Sequence, residues 1–108
     1  MEKKIQRVKR METLLDRGNA AVAALLEAVE AYLEAEGSIR ELEAYYLGRE
    51  WREDFEADEA GMFPSGMKRG VLSEDAVYNL LADEEHLRIL MTQVAQLFEK
   101  RRTTADEE

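Results

Sequence analysis

From Ile5 onward the apolar positions recur at Val8, Met11, Leu15, Val22, Leu25, Leu26, Val29 and Leu33. This is the three-and-four spacing of an amphipathic helix with one face to cover. Counted at about 100° per residue, Ile39, Leu42 and Tyr46 leave that face by roughly a quarter to a third of a circle. The change falls near "GSIRE". There Gly37 is suited to end a helix, Ser38 to cap the next, and Glu41 to close a capping box. A single glycine inside a strong helix costs only about 1 kcal/mol. The pattern therefore allows two outcomes: a break near Gly37, or a kinked helix that continues to Leu47.

A short second helix is predicted over "REWREDFEADEA", residues 49–60, with Trp51 and Phe55 four apart on its one apolar side and acids over the rest. Two apolar residues cannot hold so short a helix in isolation, so it must dock, with Trp51 as the anchor. Gly61 ends it, and "GMFPSGMKRG" is a connection in which Pro64, Gly66 and Gly70 all oppose helix. In "VLSEDAVYNLL", Ser73 is placed to cap, Glu74 and Asp75 complement the positive end of the helix dipole, and Leu72 and Val77 stand where a hydrophobic staple needs them. The last helix follows through Leu80, Leu81, Leu87, Leu90, Met91, Val94, Leu97 and Phe98 to about Arg102, leaving residues 103–108, "TTADEE", as a frayed acidic tail.

The expected fold is all-α, an antiparallel helical hairpin in a single domain over residues 1–102. Its long N-terminal helix, kinked or broken near Gly37, and its C-terminal helix are joined by the short acidic helix and the Gly/Pro loop. If the first helix is unbroken it is about 65 Å long against about 43 Å for the last. Ile5, Val8, Met11 and Leu15 would then lack a cover, and a symmetric homodimer through the N-terminal segment is expected. A break at Gly37 nearly matches the two arms and favours a monomer.

Composition adds limits. The 108 residues suffice for one modest core, and 45% hydrophobic with 36% charged residues and a single proline suits helices. No apolar run is long enough to span a bilayer and no signal-peptide pattern follows "MEKKIQRVKR", so no membrane role is expected and the cytoplasm is the expected compartment. The absence of cysteine excludes disulfides and thiolate metal sites. Charge is unevenly spread: residues 1–17 hold six Lys/Arg against three acids, whereas residues 26–61 hold three against twelve. That acidic block would repel a phosphate backbone, which argues against direct nucleic-acid binding.

The ordered set Tyr45–Tyr46, Trp51, Asp54, "EADEAG", Pro64 and "KRGVLSED", within residues 45–81, resembles the signature of a family of small bacterial all-helical proteins classed as a domain of unknown function. The resemblance implies a helical fold and a bacterial or phage source. It implies no activity.

Candidate chemistry is sparse. Asp54, Glu56, Asp58 and Glu59 suggest a calcium loop, but Glu59 stands where glycine is required and Ser65 where the bidentate glutamate belongs. His86 is the only histidine, so no histidine-based zinc site or Ser/His/Asp triad can be assembled, and its spacing puts it off the apolar seam. An all-α nucleotide pyrophosphohydrolase would need an E-x-x-E pair and a later E-x-x-D pair converging on magnesium. Glu50, Glu53, Glu56 and Glu59 supply the first, but Leu72 and Leu80 stand three before Asp75 and Asp83, so the second is missing. No catalytic residue, metal or cofactor is therefore assigned.

The remaining candidates form a junction: Tyr45, Tyr46, Trp51, Asp54, Phe55, Lys68 and Arg69 as a partner-binding or purely structural cluster, beside the cap residues Ser73, Glu74 and Asp75. In the structural version Phe63 and Tyr78 join a local core, and Arg69 pairs with Asp54 or Asp58. The leading functional expectation is an interaction or scaffolding module with an unknown protein partner. The alternative is an acidic, nucleic-acid-mimicking inhibitor of a DNA- or RNA-handling protein, and the remote alternative is an all-α metal-dependent nucleotide pyrophosphohydrolase.

Overall fold

The computed structural model describes residues 1–107. The chain is all-α: α1 spans Glu2–Leu47, α2 Arg49–Glu59 and α3 Ala76–Glu107, with a 3-10 turn at Gly70–Leu72 before α3. No strand occurs among the described residues. In order along the chain, two long helices are joined through a short acidic helix and a Gly/Pro loop. By internal contacts the chain divides into a unit of Met1–Arg40 and a second unit starting at Glu41, the boundary falling inside α1.

The first unit is helix throughout after Met1. Gly37 does not break it, and α1 passes through both Gly37 and Ser38. The cap signals there lose to the surrounding Ala, Glu and Leu, and the Glu36 carboxylate pairs with Arg40 at 3.6 Å one turn on, spanning the glycine. Every residue from 1 to 28 is exposed, whereas Val29, Tyr32, Glu36 and Ile39 are half-buried. These positions alternate by three and four, and the series continues to the half-buried Glu43 and Tyr46. Counted backwards the same heptads pass through Leu25, Val22, Leu15, Met11 and Val8. Ile39 and Tyr46 thus belong to the N-terminal register. Their apparent quarter turn is the drift of about 20° per heptad that a straight 3.6-residue helix accumulates against a 3.5-residue repeat.

In the second unit α1 stops at Leu47 because Gly48 leaves helical geometry for extended backbone. A side chain there would approach the Ala44 carbonyl at 3.1 Å. At the other end of α2, Gly61 takes a φ of +70°, the left-handed conformation that closes a helix and that other residues resist. The only buried apolar residues among those described are Leu72, 4% exposed, and Val77, 2% exposed. They are the pair expected to staple the start of α3.

That start differs in detail from the sequence expectation. Glu74 and Asp75 form a turn rather than the first helical positions, and α3 begins at Ala76. Ser73 still serves the helix end. Its Oγ accepts the Ala76 N–H at 3.3 Å and donates to the Gly70 carbonyl at 2.9 Å, so one hydroxyl ties the 3-10 turn to the helix. The Asp75 carbonyl opens the helical ladder by accepting the Asn79 N–H at 2.8 Å. At its far end α3 passes Arg102 and continues to Glu107, so the segment expected to be a frayed tail is helical as far as it is described, with Glu108 outside the described residues.

Candidate functional site

The junction lies wholly within the second unit, built from the last turn of α1, the side of α2 and the loop that leads to α3. Gly48 lets the chain turn out of α1 so that α2 can present Trp51, Asp54, Phe55 and Asp58 to it. The Trp51 ring meets Tyr46 edge-on with centroids 5.2 Å apart, and it stacks on Phe55 at 5.2 Å. Such pairs contribute about 0.5–1.5 kcal/mol beyond the area they bury. The indole Nε1–H donates to the Val71 carbonyl at 2.9 Å, which fixes α2 to the 3-10 turn twenty residues on. Trp51 is therefore the docking anchor of α2, through a polar contact as well as an apolar one.

Two acids of α2 are used inside the junction. The Tyr45 hydroxyl donates to Asp54 Oδ2 at 2.7 Å. Burial of the phenol, that hydrogen bond, and the negative charges of Asp54 and Glu50 together push the Tyr45 pKa up to about 12. Asp58 receives Arg69 Nη1 at 2.5 Å, while Arg69 Nε points to the Met67 carbonyl at 3.4 Å. The guanidinium is thus shared between a carboxylate and the backbone of its own loop, not set bidentate on one acid. Of the two partners the sequence allowed Arg69, the structure selects Asp58, and Asp54 is taken by Tyr45.

Lys68 is exposed, and together with Tyr45, Asp54, Phe63, Met67, Arg69, Val71 and Leu72 it lines an open pocket of about 160 Å³. Tyr78, a proposed member of the local core, is 62% exposed and stands apart from it. His86 is exposed, in keeping with its place off the seam. The four glutamates of the E-x-x-E series on α2 are all exposed. Among the described residues no three His, Cys, Asp or Glu side chains converge as a metal would require. Nor is any buried side-chain polar atom there left without a hydrogen-bond partner.

The bonds of this arrangement run between its own elements. Tyr45, Asp54, Trp51, Asp58 and Arg69 bond to partners within it, tying α1, α2 and the loop together, and Lys68, Glu74 and Asp75 are the exposed charged groups among the site candidates. The Tyr45–Asp54 bond and the Trp51–Val71 bond had no signal in the spacing of the sequence. Each joins residues on either side of a glycine-marked turn, where periodicity carries no information.

No helix of the described residues is long and apolar enough to cross a membrane. Neither the curated proteins nor the solved structures gave a match. The model of one family, described as a domain of unknown function (DUF4298), matches residues 8–94, which take in the heptad seam, the junction, the stapled helix start and most of α3, and the chain belongs to that family.

Proposed function

We propose that the protein is a helical interaction or scaffolding module, in which the junction is a structural lock and the N-terminal half of α1 is the docking face for a partner helix. One observation carries this reading. Large apolar side chains at Val8, Met11, Leu15, Val22 and Leu25 share one seam, Ile5 lies beside it, and all are exposed, from 41% at Ile5 to 60% at Val22. Scattered apolar residues on a surface mean little, but a contiguous stripe of this length marks an association site. A solitary helix is also marginal in water, and gains most of its stability when its apolar face is packed.

The polyanion-mimic reading draws less support. Asp54 and Asp58, two acids of the block it needs, are held by Tyr45 and Arg69, and an apolar stripe is of no use in a basic groove. We place the protein in a bacterial cytoplasm, a setting consistent with the family resemblance and the cysteine-free chain.

The test is native electrophoresis of tagged chain in host lysate, comparing wild type with the double variant Leu15→Asp, Leu25→Asp. Wild type should migrate within a complex and the variant near the 12.4 kDa of a single chain. Identical migration of the two, or a complex that dissolves steeply with added salt and is indifferent to both substitutions, would remove the docking face.

A further inference from the structure

We infer that the occupant of this face is a second copy of the chain, its α1 running antiparallel to the first and crossing it at Gly18. The inference rests on the docking reading above and adds the partner and its direction.

Charge along α1 supplies the direction. Residues 1–17 carry six Lys/Arg and three acids, a formal +3, whereas residues 18–36 carry Glu27, Glu30, Glu34 and Glu36 with no basic residue, a formal −4. The sign changes across an uncharged stretch that begins at Gly18. Two parallel copies would set like charge on like along both halves. Two antiparallel copies centred on residue 18 set the basic half of each against the acidic half of the other, at both ends at once. A partner with this charge profile, the same apolar spacing and the same length is present in every solution of the protein.

Gly18 fixes the centre. It occupies a seam position of the heptads between Leu15 and Val22, the one place in that run without a side chain. A Cβ built there meets nothing within 4 Å, so no crowding inside the chain calls for glycine at this point. In an antiparallel pair crossing at residue 18, the two glycines face each other and the backbones approach. Met11 then falls opposite Leu25, the seam residues Leu15 and Val22 flank the crossing on either side, and Lys9 falls opposite Glu27. A two-fold axis through the crossing makes every such contact occur twice.

The chain has no cysteine, so single-cysteine variants report direction without background. Met11→Cys and Leu25→Cys replace exposed side chains, and circular dichroism matching wild type shows that each folds. Purified wild type at 100 μM should sediment at about twice 12.4 kDa, and the dimer should weaken with added salt as the end charges are screened. On mild oxidation, an equal mixture of the two variants should give the mixed 11–25 disulfide at least tenfold over either self-linked product. Efficient 11–11 linkage by Met11→Cys alone would overturn the antiparallel arrangement. A clean monomer at 100 μM would overturn the second copy as occupant, and the lysate experiment then shows separately whether another protein takes the face.

Discussion

At the scale of single residues, the junction is a set of polar groups that would each be costly if its partner were removed. Tyr45 is the clearest case. Its pKa in the folded chain, about 12, lies above the ordinary value of 10.0. The stability this phenol contributes is therefore fully present below pH 10 and is lost as pH rises through 12. Ultraviolet titration of the folded protein should show one tyrosine ionising late, and Tyr45→Phe should abolish that late step. The same substitution strands the Asp54 carboxylate in a half-buried place, so it should also lower stability by about 1–2 kcal/mol. Arg69 makes a different prediction, because its planar fork reaches Asp58 and the Met67 carbonyl at once. Lysine cannot divide itself that way. Arg69→Lys should cost about 1 kcal/mol in urea unfolding, since the pair is only partly shielded from water. A midpoint identical to wild type would show the Arg69 contacts to be idle.

At the scale of elements, α2 is held by one residue more than any other. Trp51→Ala removes the stack on Phe55, the edge contact with Tyr46 and the bond to Val71, and should destabilise by about 3 kcal/mol or more. Native-like melting of that variant would mean that α2 is anchored elsewhere. The glycines give a paired prediction. Gly37 lies inside a continuous helix with nothing within 4 Å of its missing side chain, so Gly37→Ala should raise thermal stability by up to about 1 kcal/mol. Gly61 has a φ of +70°, so Gly61→Ala should lower it by a similar amount. Loss of stability from Gly37→Ala would revive a helix break at that point.

These elements also mark how far the sequence could be read. The burial of Leu72 and Val77, the Trp51–Phe55 side of α2 and the closing role of Gly61 were legible, because each is local chemistry at fixed spacing. Continuity through Gly37 was not, since cap signals and helix propensity within the same five residues oppose each other by similar energies. The true register of Ile39 and Tyr46 was hidden by the difference between 3.6 and 3.5 residues per turn, negligible over one heptad and large over four. In the junction the cluster of aromatic residues could be named in advance, but the pairing of Tyr45 with Asp54 depends on how the chain turns at Gly48.

At the scale of the whole molecule, the distribution of burial is lopsided. The second unit contains the only two buried apolar side chains among the described residues and a junction in which no buried side-chain polar atom lacks a partner. The first unit has an apolar seam, a charge gradient and no core of its own. A single helix of that kind is held in water by what it binds. The family model begins at residue 8 and so includes most of that seam.

Amide hydrogen exchange over residues 5–28, followed as a function of protein concentration, reports whether the N-terminal half of α1 is docked. A helix docked through this seam should show strong protection there at 100 μM, and the protection should fall at least tenfold on dilution to the nanomolar range or in Leu15→Asp, while amides of α3 around Val77 remain protected. Exchange of residues 5–28 at unstructured rates at 100 μM would contradict a docked seam, and so would slow exchange indifferent to both dilution and Leu15→Asp.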